Sequence, residues 1–221
     1  MKITLKSKIL IGLVKFFAPF ILGFGVFGVL GLTLERSLWM KFWPLITGYF
    51  FPPLGKETII PSGVLVFGIP PLLMALSVAF VDIVVALFLV WNYDLAKKIP
   101  FLGKFMINIE EKGKDFSQKY GWVKPLRFIG IVLFVMVPFQ GSGGLVGSIV
   151  GRLIGMKPRN TFFAITIGAI IGCLLIATFA QAFLIFAEIN TMLTLILVAG
   201  IAFVIILYFI SKKQRAQKKK T

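Results

Sequence analysis

The sequence predicts an all-α integral membrane protein with about four transmembrane helices and two re-entrant hairpins. Of its 221 residues, 58% are hydrophobic and 14% are charged, whereas soluble domains carry about 25% charged residues. The apolar residues fall in runs that can cross a bilayer, which takes about 20 helical residues. No polar linker separates two apolar blocks, so we expect one membrane domain over residues 1–221.

The charge balance is strongly basic, with 24 Lys and Arg against 8 Asp and Glu. The basic residues cluster between and beyond the apolar runs, as orientation by cytoplasmic positive charge produces, and we therefore expect no nucleic-acid partner. The absence of His and the single Cys argue against a metal site. Without a credible nucleophile–base pair we expect no enzyme, and we expect no cofactor.

Four apolar runs predict transmembrane helices at about residues 9–34, 70–92, 160–187 and 191–210. The first run is too long for the apolar region of a signal peptide and lacks a cleavage site. We therefore predict that it spans the membrane.

Two further apolar regions, residues 38–68 and 125–157, are interrupted by proline and glycine. Proline removes a backbone donor and clashes with the preceding turn, and clustered glycines weaken a helix further. Each region is too short for two spans and too broken for one, so we predict re-entrant hairpins that are buried in protein or line a cavity. The predicted non-helical tips contain Pro61, Gly63, Pro138, Gly141 and Gly143.

Loop charge supports this arrangement. With two hairpins, the basic loop 94–124, the polybasic tail 211–221 and both termini all face the cytoplasm. If each broken region crossed the membrane once, the loop would face outward. Hairpin plus helix then occurs twice with opposite orientation, at 35–92 and 125–187. Such an inverted repeat is used by many secondary transporters, with binding near the midplane.

Two carboxylates lie in the predicted membrane segments. Glu57 lies at the first break, where it could bind a cation or proton, cap exposed amides near Pro61, or pair with Lys56. Asp82 lies midway along its helix, where an ionised side chain costs about 2.5–3.5 kcal/mol on insertion scales. It should therefore be protonated or paired, in a substrate or proton pathway or in a structural hydrogen bond.

Other polar residues of interest lie in the second region. Arg152 could neutralise a carboxylate, hold an anionic headgroup, or extend to the cytoplasmic surface. Gln140 and Ser142 at the tip could bind a polar ligand or only satisfy the tip's own backbone.

Glycines recur at every fourth residue in this second region. On a helix they form a ridge without side chains, against which another backbone can pack closely. The series comprises Gly143, Gly147, Gly151 and Gly155.

Two motifs give the sequence a family resemblance. Glu57 followed by Ile60-Pro61-Ser62-Gly63, and the run from Val137 to Ser148, resemble the small multidrug export protein family of bacteria and archaea. The family is a distant relative of the DedA/VTT superfamily, whose members have paired re-entrant hairpins and include lipid flippases and scramblases. The second tip here, Gln-Gly-Ser-Gly-Gly, departs from the Arg-rich second loop typical of DedA proteins.

Together these observations lead us to expect a multi-pass protein of a bacterial or archaeal cell membrane. The leading hypothesis is a transporter for an amphiphilic small molecule or a lipid, including lipid phosphates, with protons as a candidate coupling ion. Membrane lipid and a second copy of the chain are candidate partners. The alternative is a membrane assembly or envelope-integrity factor that transports nothing.

Overall fold

A computed structural model describes residues 5–51, 54–96, 123–138 and 142–192, together with isolated positions between 195 and 208. Within these ranges the protein is helical and contains no strand, which confirms the all-α prediction. The chain forms two compact units, residues 1–180 and 181–221. The helices are α1 (Leu5–Thr33), α2 (Arg36–Gly48), α3 (Lys56–Pro61), a π-helix (Ser62–Val66), α4 (Pro71–Ala96), α5 (Val123–Met136), α6 (Gly144–Leu153) and α7 (Pro158–Ile189).

Three helical stretches are long and apolar enough to cross a membrane: Leu10–Thr33, Pro71–Tyr93 and Pro158–Ile189. They correspond to three of the four predicted spans, and they make this a multi-pass membrane protein. The fourth predicted span, 191–210, lies largely outside the described residues, and so do the predicted loop and tail. Helices α5 and α6 are apolar but shorter.

Helix α1 packs antiparallel against α4, although it contains a proline in its middle. Pro19 has no N–H to give to the carbonyl of Lys15, four residues earlier. The Asn92 side-chain amide of α4 donates to that carbonyl oxygen over 3.0 Å. Phe16 also contacts Phe88, with ring centroids 5.4 Å apart. A polar side chain from α4 therefore satisfies the backbone group that the proline leaves free.

The first broken region differs from the prediction in the place of its break. Pro61 and Gly63 were expected at the non-helical tip, but Pro61 ends α3 and Gly63 lies in the π-helix. The proline has helical dihedrals, φ −60° and ψ −40°, so its ring is compatible with the helix. The chain then continues in the wider π-helix, where Phe67 N–H bonds to the Ser62 carbonyl. The break itself lies upstream, between Tyr49 and Gly55.

The second broken region has its break where the sequence placed it, between α5 and α6. Pro138 and Gly143 lie in this stretch, whereas Gly141 lies outside the described residues. Gly155 was expected on the helical glycine ridge, but it lies beyond the end of α6 with φ +78°. There it closes a Schellman motif, in which Met156 N–H bonds to the Gly151 carbonyl over 3.0 Å.

Glycines set the spacing between α6, α7 and α5. A Cβ added at Gly147 would lie 2.8 Å from a Val135 methyl, and one at Gly151 would lie 2.6 Å from Thr161 Cγ2. On α7, a Cβ at Gly172 would lie 2.8 Å from the backbone of Met136. The close approach of these helices therefore depends on positions that have no side chain.

Candidate functional site

Asp82 is the polar residue around which the two broken regions meet. It lies in the middle of the α4 span and is only 3% exposed. Its Oδ1 accepts one hydrogen bond from the Tyr49 hydroxyl over 2.9 Å and another from the Gly144 backbone N–H over 2.8 Å. Tyr49 follows α2 at the first break, and Gly144 begins α6 after the second. One carboxylate oxygen therefore connects α4 to both breaks.

The glycines at the start of α6 make this contact possible. A Cβ on Gly144 would overlap the backbone carbonyl of Asp82, and a Cβ on Gly143 would lie 2.5 Å from Asp82 Oδ1. The N-terminal N–H groups of a helix have no partner within the helix. The Asp82 carboxylate therefore caps α6 from another helix, where a negative charge is also favoured by the helix dipole.

The second carboxylate oxygen of Asp82 differs from the first in its hydrogen bonding. Oδ2 is buried and has no hydrogen-bond partner within the described part of the chain. A buried carboxylate oxygen is costly to leave without a partner. A proton or a cation would supply the partner that this oxygen lacks.

Lys56 brings a positive charge into the same region. It is 2% exposed, and its Nζ donates to the carbonyl oxygen of Val135, in the last turn of α5. The second break therefore has the Lys56 side chain at the carboxyl end of α5 and the Asp82 side chain at the amino end of α6.

Glu57 occupies the first turn of α3 and is half-buried. Its carboxylate folds back against Gly55, the residue that precedes the helix. Its Oε2 is buried, and no described residue gives it a hydrogen bond.

Arg152 lies apart from the carboxylates. Its guanidinium stacks on the Tyr93 ring, 4.7 Å from the ring centroid, and Nη1 donates to the Met156 carbonyl over 2.7 Å. At 1.5 Å rise per residue, Arg152 lies about 12 Å along α6 from Gly144. The structure therefore does not bring Arg152 to Asp82 or Glu57, because it lies at the other end of the helix.

The polar residues of the second tip are described only in part. Ser142 is fully buried, and its hydroxyl donates to the Val137 carbonyl over 2.6 Å. It thus satisfies a backbone group of the break itself, which was the structural alternative for this residue. Gln140 lies outside the described residues.

Sequence reasoning did not assign a role to Tyr49, and it considered Lys56 only as a pair for Glu57. A signal was available for both, since each is a polar side chain next to a break in an apolar region. In the described ranges no group of three or more His, Cys, Asp or Glu residues could hold a metal ion.

Comparison with known proteins identifies the family. The model of a family described as "Putative small multi-drug export protein" matches residues 57–175, which is more than half of the chain and includes Glu57, Asp82 and the second break. No curated protein matches the chain, and no solved structure matches it. Because the match covers α4, α5, α6 and half of α7, the chain belongs to the small multi-drug export protein family.

Proposed function

We propose that this protein is a transporter that moves an amphiphilic small molecule or a lipid across the membrane. The family name and the three apolar spans support membrane transport. The observation that carries the proposal is Asp82, a carboxylate buried at mid-span whose Oδ1 is held by both broken segments while Oδ2 lacks a partner in the described structure.

In the proposed mechanism, Asp82 takes up and releases a proton or a cation. An ionised carboxylate accepts strong hydrogen bonds from Tyr49 and from Gly144, whereas a neutral one accepts weaker bonds. A change of charge at Asp82 therefore changes the contacts of α4 with the end of α2 and with the start of α6. Glu57, whose Oε2 is buried without a hydrogen-bond partner among the described residues, serves as a second acceptor.

The proposal extends to the membrane arrangement. We assign α2 with α3, and α5 with α6, to two re-entrant hairpins of opposite orientation, in a DedA/VTT-like inverted repeat with both termini in the cytoplasm. Short helices on both sides of each break support this assignment. Single cysteines introduced in 94–124 and near Glu188 test it by labelling in intact cells. Cys173 is fully buried and should not interfere.

The expected pattern is labelling of the 94–124 cysteine only after the cytoplasmic side is opened, and labelling of the cysteine near Glu188 from outside. Labelling of the two positions from the same side would rule out this topology.

The transport test uses purified protein in liposomes with an imposed pH gradient and a panel of labelled amphiphiles and lipid phosphates. Asp82→Asn keeps the oxygen that accepts from Tyr49 and Gly144 but cannot change charge, so we expect a folded protein with transport reduced at least tenfold. Glu57→Gln should also reduce transport. Glu188→Gln, at an exposed acidic residue far along α7, is the matched control and should transport normally.

Wild-type rates in both Asp82→Asn and Glu57→Gln would show that these carboxylates do not carry the coupling ion. A pH gradient without effect on wild-type transport would remove proton coupling while leaving transport itself in place.

A second candidate is an assembly or envelope-integrity factor that transports nothing. The specific observation in its favour is the closed packing around Asp82, which is almost fully buried. If wild-type protein moves no member of the panel, while its deletion alters the composition of envelope complexes, this second function is the correct one.

A further inference from the structure

Arg152 is a partly buried cation that the proposed transport mechanism does not use. Its guanidinium stacks on the Tyr93 ring, and Nη1 donates one hydrogen bond, over 2.7 Å, to the Met156 carbonyl. Within the described part of the chain it forms no ion pair, and its buried Nε has no hydrogen-bond partner. Since a guanidinium has five N–H donors, its terminal nitrogens keep donors for an anionic ligand.

A second arginine is held against the same loop, the one between α6 and α7. Arg127 Nη1 donates to the Ile154 carbonyl, two residues before the carbonyl that accepts from Arg152. Lys157 completes the loop and Arg159 lies in the first turn of α7, and both side chains are exposed. Four cations from α5, α6 and the start of α7 therefore surround one short loop.

This loop lies at one boundary of the membrane. Tyr93, on which Arg152 stacks, is the last residue of the span Pro71–Tyr93, and the span Pro158–Ile189 begins directly after the loop. One span therefore ends where another begins. From residue 120 to residue 187 the sequence contains basic residues but no acidic one. These segments thus place positive charge at the level where lipid headgroups lie.

We propose that Arg152, Lys157 and Arg159 bind the phosphate of an anionic membrane phospholipid, while Arg127 positions the loop. Guanidinium groups bind phosphate through paired N–H donors, and an ammonium group adds a point charge. Basic pockets between membrane-spanning helices bind anionic headgroups in this way. The lipid is held at the boundary and is not transported, so the inference does not depend on the proposed function.

Thermal unfolding of the full-length protein in an uncharged detergent tests this site. The probes are short-chain phosphatidylglycerol, which is anionic, short-chain phosphatidylcholine, which has no net charge, and inorganic phosphate. We expect saturating phosphatidylglycerol to raise the melting temperature by about 3 °C or more, and the other two to change it little. An equal rise with inorganic phosphate would show a site for free anions, and an equal rise with phosphatidylcholine would show that charge is not recognised. Either result would overturn the proposal.

Variants then locate the binding. Lys157→Gln/Arg159→Gln changes two exposed side chains, and we expect the apparent affinity for phosphatidylglycerol to fall roughly fivefold for each charge removed. Lys212→Gln/Lys213→Gln removes the same charge from the tail and should keep wild-type affinity. Arg152→Lys keeps its charge but loses the paired donors, so its affinity should also fall, measured against its own lipid-free melting temperature. Wild-type affinity in Lys157→Gln/Arg159→Gln, or an equal loss in the tail variant, would overturn the site.

Discussion

The two broken regions both contain helix ends whose backbone groups need hydrogen-bond partners, and the partners differ between the regions. At the first break, between α2 and α3, backbone groups bond to near neighbours. Phe51 N–H reaches the Gly48 carbonyl, and the Thr58 hydroxyl bonds to Gly55. At the second break, Ser142 makes one local bond to Val137. The helix ends on either side are satisfied by Asp82 and Lys56, which belong to the first half of the chain.

The difference shows that two apolar regions interrupted by proline and glycine need not be stabilised in the same way. The described bonds at the first break are local, apart from the bond that the Tyr49 hydroxyl donates to Asp82. At the second break, the flanking helix ends bond to side chains of α4 and of the start of α3. In the proposed inverted repeat, the two halves therefore differ in which residues stabilise their helix ends.

The largest effect should come from the contact between α6 and α4. In Gly144→Ala the added methyl group overlaps the backbone carbonyl of Asp82. A backbone group cannot move aside as readily as the tip of a flexible side chain can. We expect a loss of about 3 kcal/mol or more, measured as thermal stability in detergent. Gly130→Ala in α5, where no atom lies within 4 Å of the added Cβ, is the control and should be neutral or slightly stabilising. Equal stability of the two variants would contradict the described contact.

A smaller loss of stability is expected from alanine substitutions at glycines, and its size should differ between the two regions. Gly151→Ala in α6 would press against Thr161 at 2.6 Å, whereas Gly48→Ala at the end of α2 meets the flexible tip of Leu54 at 3.3 Å. We expect about 1–3 kcal/mol for the first and about 0.5 kcal/mol for the second. Urea or thermal denaturation followed by circular dichroism gives both values. If Gly48→Ala costs more, the first region is the more tightly packed of the two.

Below the losses expected at Gly144 and Gly151 comes the effect of the bond between Tyr49 and Asp82. Tyr49→Phe removes the hydroxyl that donates to Asp82 over 2.9 Å and leaves the Gly144 bond intact. We expect a loss of about 1–2 kcal/mol, since the acceptor is a carboxylate. Combined with Asp82→Asn, the loss should shrink, because the acceptor is then neutral. An undiminished cost in that background would mean that Tyr49 stabilises the break by packing alone.

Long apolar runs allowed three spans to be predicted close to their observed ends, because hydropathy over 20 residues depends little on tertiary contacts. The exact place of the first break could not be predicted in this way. Pro61 is a helix breaker by composition, but at the end of α3 its φ of −60° is compatible with the helical path, and a π-helix follows it directly. The break begins instead after α2, which ends at Gly48.

The site was predicted in part. The position of Asp82 at mid-span follows from counting residues along one helix. Its partners do not, because Tyr49 and Gly144 come from other segments. Arg152 has a charge that could neutralise a carboxylate. It lies, however, about 12 Å along α6 from Gly144, at the other end of that helix. Helical periodicity placed Gly155 on the ridge with Gly147, whereas the Schellman motif ends the helix before it.

The bond between Asp82 and Gly144 joins residues 62 positions apart, and this separation has a consequence for biogenesis. The ribosome delivers Lys56 and Asp82 to the membrane well before the segment they cap has been made. Until α5 and α6 arrive, the newly inserted first half holds two charges without their helix ends, a state that is costly in lipid. A chain truncated before residue 123 should therefore be recognised and degraded by membrane proteases, and co-expression of the missing half as a separate polypeptide should rescue it.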